Sequence, residues 1–260
     1  MSLVLATVGF DERDAGVARI TREVAGRLGL AVGFVHAAAE DEDVAGVTTK
    51  LEAMLQPGER VWVEAGELDE VVGAVSQREG AAFLIIGRAR SRGGEVAWGK
   101  HSRTILRSPG CPVLVVPRGV TPTWAFARVG MDLSRSAFEA LDLAQRLCDR
   151  VEAVAVLSAD AVGADAADAD LRARFREGMA DHGDADVPLR AVVGGSPGDS
   201  LLADAQGVDL LCVGSRGLSP LAATFLGSTA ERVAARASVP VLVVRRRGDA
   251  RGIIGALFGP

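Results

Sequence analysis

Short apolar runs alternate along the chain with longer stretches in which apolar residues return every three or four positions. In the second half the short runs predict strands at Phe126–Met131, Glu152–Leu157, Val187–Val192, Asp209–Val213 and Val241–Val244. Between them a helical period predicts helices at Ser136–Cys148, Ala166–Asp181, Pro197–Gln206 and Ser228–Ala237. Ala137, Leu141, Ala144 and Leu147 fall on one face of the first of these. Ser136 with Glu139 has the spacing of a capping box, and Ser196-Pro197 puts a cap before a proline at the first helical position. The first half repeats the order, with strands near Leu3–Val8, Ala31–His36, Arg60–Glu64, Ala82–Ile86 and Val113–Val116. Strands rich in Val, Leu and Ile that alternate with helices predict an α/β fold whose parallel sheets are covered on both faces. Ligands on such sheets bind beyond the carboxyl ends of the strands, where the strand order reverses.

The two halves also share words. Cys111-Pro-Val-Leu-Val-Val-Pro117 returns as Val239-Pro-Val-Leu-Val-Val-Arg245, Val8-Gly-Phe-Asp11 as Val129-Gly-Met-Asp132, and Phe83-Leu-Ile-Ile-Gly87 as Leu210-Leu-Cys-Val-Gly214. A spacing of about 125 residues is far longer than a solenoid unit and indicates a duplicated domain. The reading is a first domain over 1–118, a turn-rich joint at Gly119–Thr123, a second domain over 124–246 and a tail over 247–260.

Composition narrows the function. With 48% hydrophobic and 24% charged residues the 260-residue chain can build packed cores, and disorder is excluded. A net charge of −5 argues against binding duplex nucleic acid, and 8 Phe, 3 Trp and no Tyr are too few for a single-strand stacking platform. No apolar run reaches the roughly 20 residues that cross a bilayer, so no stable membrane insertion is expected. The start, Met1 to Asp14, lacks a basic region and turns acidic, unlike a signal peptide. Cys111, Cys148 and Cys212 are widely spaced and lie in or beside apolar runs, which reads as buried reduced thiols and a cytoplasmic location.

The stretch with chemistry follows the fourth strand of the second half. Gly214, Gly217 and Gly227, followed by Ser228 and Thr229, form a G-x2-G-x9-G-[ST] pattern whose last glycine opens a helix. Glycines let main chain approach a ligand closely, and amides at a helix N-terminus form a positive pole for an anion. Ser215, Ser228 and Thr229 add hydroxyls, and Arg216 adds a cation. A plainer reading stays open: Ser228 with Glu231 is also a capping box, and Gly214 can simply end a strand.

With these residues the chain, apart from its tail, resembles a tandem universal stress protein. The resemblance implies two tandem doubly wound five-stranded parallel-sheet domains of the adenine nucleotide alpha hydrolase-like fold. It also implies that the domains pair as a pseudo-dimer through their last strands, with a homodimer left open. Met131 and Asp132 match the family's first-strand end, where the aspartate bonds a ribose, and the main chain at Val156 would meet the adenine. Gly214, Ser215, Arg216, Gly217, Gly227, Ser228 and Thr229 would surround ribose and phosphates. The implied ligand is ATP, ADP or AMP, with Mg2+ carried on the phosphates. The implied role is regulatory, with the nucleotide altering contacts to a protein partner. A slow ATPase, an adenylating enzyme and a nucleotide-free interaction module are the alternatives. Adenylating enzymes carry a glycine-rich turn after the first strand, where this chain has Asp132-Leu-Ser-Arg-Ser136.

The first half departs from that pattern. Asp11 is kept, but Arg90 replaces the second glycine, and Lys100-His101 stands where the second half has Ser228-Thr229. A side chain at Arg90 would fill phosphate space, so this half is expected to have lost ordinary ATP binding. Arg88, Arg90, Arg92 and Lys100 form either a site for another anion or a solvated basic loop. Gly94, Gly99, Lys100 and His101 imitate a P-loop, but His101 replaces the Mg2+-holding hydroxyl. His36, His101 and His182 have no metal-ligand spacing, and no nucleophile elbow occurs.

Overall fold

The computed structural model describes residues 2–9, 14–88, 100–107, 110–158, 164–180, 182, 186–215 and 227–245. The chain divides into two compact units, Met1–Thr121 and Pro122–Pro260.

The first unit runs β1 (Leu3–Thr7), α1 (Asp14–Leu28), β2 (Ala31–Ala38), α2 (Val44–Glu52), β3 (Arg60–Ala65), α3 (Leu68–Arg78), β4 (Ala81–Arg88), α4 (Lys100–Arg107) and β5 (Val113–Pro117). Its strands lie in the order β3-β2-β1-β4-β5, all parallel. The second unit runs β6 (Phe126–Gly130), α5 (Arg135–Leu147), β7 (Arg150–Leu157), α6 (Ala164–Ala180), β8 (Leu189–Val193), α7 (Pro197–Ala203), β9 (Leu210–Ser215), α8 (Ser228–Arg236) and β10 (Val241–Arg245). Its order is β10-β9-β6-β7-β8, again parallel. Each unit is therefore the doubly wound five-stranded sheet that the apolar pattern predicts.

Burial explains why some strands read as continuous apolar runs and others did not. Leu3 to Ala6 of β1, Ala81 to Ile86 of β4 and Leu210 to Val213 of β9 are buried residue after residue, because helices cover both faces. The edge strands β3 and β8 are half-exposed along most of their length and carry Arg60, Glu64 and Arg190 among their apolar residues. The three cysteines are buried and form no disulfide with one another, as expected.

Two caps differ from the sequence reading. The N-cap of α5 is Ser134, whose side chain accepts from the Ala137 amide, and Ser136 lies inside the helix. At α8 the N-cap is Gly227, with no side-chain cap bond, so the alternative reading of Ser228 with Glu231 as a capping box is not what the structure shows. Ser196 does cap α7 ahead of Pro197, accepting from the Asp199 amide. The strand expected from Val187 begins at Leu189, because Pro188 supplies only its carbonyl, to the Ala153 amide. His182 stacks on Phe138 at 5.1 Å, and its Nδ1 lies 2.7 Å from Asp142 Oδ2.

Each unit holds a partly buried carboxylate clamped by arginine. Glu59 receives Arg22 Nε at 2.6 Å and Nη2 at 2.8 Å, and Glu152 receives Arg128 Nε at 2.8 Å and Arg190 Nε at 3.1 Å. Burial raises both carboxyls, but the arginine bonds outweigh it and hold them below the usual glutamate range. A depressed folded value means the stabilisation is complete above the unfolded value, about 4.3, and is lost as the pH falls through the folded one. Melting temperature is accordingly expected to fall on acidification below about pH 4.3. Glu59→Gln and Glu152→Gln should each flatten that acid slope while lowering stability at neutral pH. An unchanged slope in both variants would contradict the assignment.

Candidate functional site

In the second unit the chain proceeds from β6 outward to β8, then returns through β9 and β10 on the other side of β6. The order thus reverses between β6 and β9. Gly130, which ends β6, stands level with Val154 on β7 and Val213 on β9. The carboxyl ends of three strands therefore open at one place.

Each end is shaped by local chemistry. Met131 is buried and its amide donates to the Val154 carbonyl at 2.8 Å, which holds the exit of β6 against β7. The chain then turns through Leu133 at φ 60°, and Asp132 Oδ1 accepts the Ser134 amide at 2.9 Å. That turn leaves Asp132 exposed at the mouth of the crevice. Val156 lies two residues beyond the level of Gly130 and is half-buried.

At the end of β9, Gly214 has a steric task. A Cβ there would lie 2.7 Å from the Ala137 nitrogen and 2.8 Å from the Ser136 carbonyl carbon, so α5 can approach only a glycine. Ser215 is buried, and its Oγ accepts the Gly227 amide at 3.1 Å. This bond clips the end of β9 to the start of α8. It also means that the Gly227 amide already has an acceptor within the protein. The next amides belong to Ser228, Thr229 and Ala230, the first turn of α8. A helix offers no acceptor of its own to the amides of its first turn, and its N-terminus carries about half a positive charge. Ser228 is exposed and Thr229 half-exposed there. A cradle for one or more phosphate groups is what this end can provide. Arg216 and Gly217 lie outside the described residues.

The first unit has its own cavity at the equivalent reversal, between β1 and β4. It measures ≈ 450 Å³ and is lined by Thr7, His36, Gly87, Arg88, Pro117 and Thr121 among others. His36 is buried, with Nδ1 2.9 Å from the Val8 carbonyl oxygen and Nε2 3.2 Å from Glu42. Asp11, Arg90, Arg92, Gly94 and Gly99 lie outside the described residues. His101, in the first turn of α4, does not stand alone as its sequence spacing suggested. Its Nδ1 is 2.6 Å from Asp69 and its Nε2 is 3.5 Å from Glu67. No sequence signal marks these partners, which are 32 residues away or more.

Comparison with known proteins decides the family. Residues 128–245, holding the whole crevice just described, match the Universal stress protein family. A solved universal stress protein in complex with cAMP is 32% identical to this chain, over 95% of its own length and 46% of this one, with a TM-score of 0.35. The chain belongs to the universal stress protein family. A universal stress protein of Archaeoglobus fulgidus DSM 4304 is similar over 95% of this chain and 97% of its own, at 21% identity and a TM-score of 0.66. A protein of Pseudomonas aeruginosa UCBPP-PA14, provisionally described as a universal stress protein, covers 98% of this chain and 95% of its own, at 19% identity and a TM-score of 0.72. At those identities the likeness is one of fold. No curated protein matches significantly. Among the described residues no helix is long and apolar enough to cross a membrane.

Proposed function

We propose that the second unit binds an adenine nucleotide and that the protein acts as a nucleotide-dependent regulatory factor. One observation carries this reading: Asp132, Val156, Gly214, Ser215 and the first turn of α8 come from four separate elements and meet where the strand order reverses. In this reading Asp132 accepts from the ribose hydroxyls, and main-chain groups at Val156 meet the adenine edge. The amides of Ser228 and Thr229 and their hydroxyls face the phosphates, together with Arg216 and Gly217. Mg2+ would be carried by the phosphates and would reduce the charge that α8 has to balance. In the first unit, by contrast, Lys100-His101 stands at the position of the two hydroxyls, and His101 is engaged with Asp69. That supports a first unit without ordinary nucleotide binding.

The test is mass spectrometry of small molecules released from the purified protein, followed by calorimetric titration with ATP, ADP, AMP and cAMP. One nucleotide per chain is expected. Asp132→Ala removes a charge-assisted bond worth about 1.5–3 kcal/mol, so affinity should fall roughly 10–100-fold. Gly217→Arg, which copies the first half, should abolish binding. A stoichiometry near two would overturn the assignment of the first unit. Unchanged affinity in both variants would overturn the site.

A further inference from the structure

The starts of α3 and α4 in the first unit bring three candidate metal ligands together. Glu67 is the N-cap of α3, yet its side chain makes no capping bond. Asp69 follows in the first turn of α3, and His101 lies in the first turn of α4. One ligand atom from each of the three lies within 4.8 Å of the others.

The three side chains form a short relay through the imidazole of His101. A neutral imidazole has one N–H and one lone pair. With Nδ1–H donating to Asp69 Oδ1 at 2.6 Å, the lone pair of Nε2 faces Glu67 Oε2 at 3.5 Å. In that tautomer a ring lone pair and a carboxylate oxygen converge, an arrangement a cation can occupy. The separation suits a cation. Two ligands each about 2.0–2.1 Å from a tetrahedral Zn2+ are about 3.3 Å apart. A carboxylate on the far ring nitrogen is also how metal-binding histidines are oriented and their tautomer fixed, which is the position Asp69 takes. Its side chain is only 13% exposed, so the ring is held firmly.

We propose that Glu67, Asp69 and His101 form a binding site for a divalent transition metal ion of the Zn2+ class, with His101 Nε2 and Glu67 as ligands and Asp69 holding the ring. Mixed nitrogen and carboxylate oxygen donors suit Zn2+ better than the all-oxygen shells of Mg2+ or Ca2+. Among the described residues, the second unit has no such cluster at the same helix junction. There Asp199 of α7 is ion-paired with Arg232 and with Arg236, the latter at 3.0 Å, so arginines of α8 bridge the two helices. In the first unit Leu68, between the two acidic residues, lines the ≈ 450 Å³ cavity. An ion at Glu67 and His101 would therefore stand at the cavity rim, with coordination positions left for water or for an oxygen of an anionic ligand. The proposal is independent of nucleotide binding by the second unit.

The experiment uses the full chain, stripped with chelator and titrated with Zn2+ against a chromophoric chelator, and with Co2+ read by its visible absorption. Wild type is expected to bind one ion per chain that His101→Ala does not. Glu67→Gln should weaken it by about tenfold or more, and Asp69→Asn by a similar factor through the ring orientation. Circular dichroism melts confirm that each variant is folded, and the cysteines are buried away from added metal. Equal Zn2+ uptake by wild type and His101→Ala would overturn the site. So would the absence of any uptake by wild type.

Discussion

Valine in place of Gly214 is expected to destabilise the second unit by about 3 kcal/mol, lowering its melting temperature by roughly 10 °C. The cause is contact with main chain, which has little freedom to move aside. Already the first added carbon would sit 2.7 Å from the Ala137 nitrogen and 2.8 Å from the Ser136 carbonyl carbon. Relief requires the start of α5 to move away from β9. That start follows directly on the Asp132 turn, so displacement should also disturb the crevice. Gly227→Ala is the contrast. Its Cβ would meet nothing nearer than Ser215 Oγ at 3.8 Å, an ordinary contact, and its φ of −61° suits any residue. Thermal melts of the two variants should separate clearly. If Gly214→Val melts with the wild type, the close approach of α5 to β9 is wrong.

Asp209→Ala should cost about 2–3 kcal/mol, through loss of a charge-assisted clamp at the opposite end of the same sheet. Asp209 accepts the Thr123 amide at 3.0 Å, the Thr123 hydroxyl at 2.8 Å, and the amides of Ala125 and Phe126 at 3.0 and 3.1 Å. Its own amide donates to the Phe126 carbonyl at 2.8 Å. One carboxylate thus fixes the entry of β6 beside the entry of β9. Burial raises its carboxyl, but the bonds from Thr123, Phe126 and Ala125 outweigh that and hold it below the usual aspartate range. Its contribution is therefore full above the unfolded value, near 3.9, and fades in stronger acid. Urea unfolding followed by tryptophan emission is a direct check, because Trp124 is buried within the clamped segment. Asp209→Asn, which keeps an acceptor but loses the charge, should fall between Ala and wild type. A midpoint equal to wild type in Asp209→Ala would refute the clamp.

The sequence made the architecture legible because burial on both faces writes itself as unbroken apolar runs, as in Leu3 to Ala6 and Leu210 to Val213. It was less informative where two residues meet one rule equally well. Ser134 and Ser136 both precede a helical pattern, and only the turn at Leu133 decides that the helix begins at Arg135. Gly214 was recognisable as a special glycine, and the structure adds a steric reason for it that the pattern did not contain, the close approach of α5. The bond from the Gly227 amide to the buried Ser215 follows from no local spacing. The same limit hid Asp209 and the Glu67–Asp69–His101 cluster, whose partners are remote in sequence.

The outer strands β3 and β8 have a consequence for how the protein behaves when concentrated. Arg60 on β3 reaches Glu79, Glu64 on the same strand receives Arg78, and Arg190 on β8 is tied to Glu152 and Asp204. A foreign strand adding to either rim would have to dehydrate these ion pairs, and no hydrogen-bond ladder readily offsets that cost. These two rims are thereby guarded against the addition of a foreign strand.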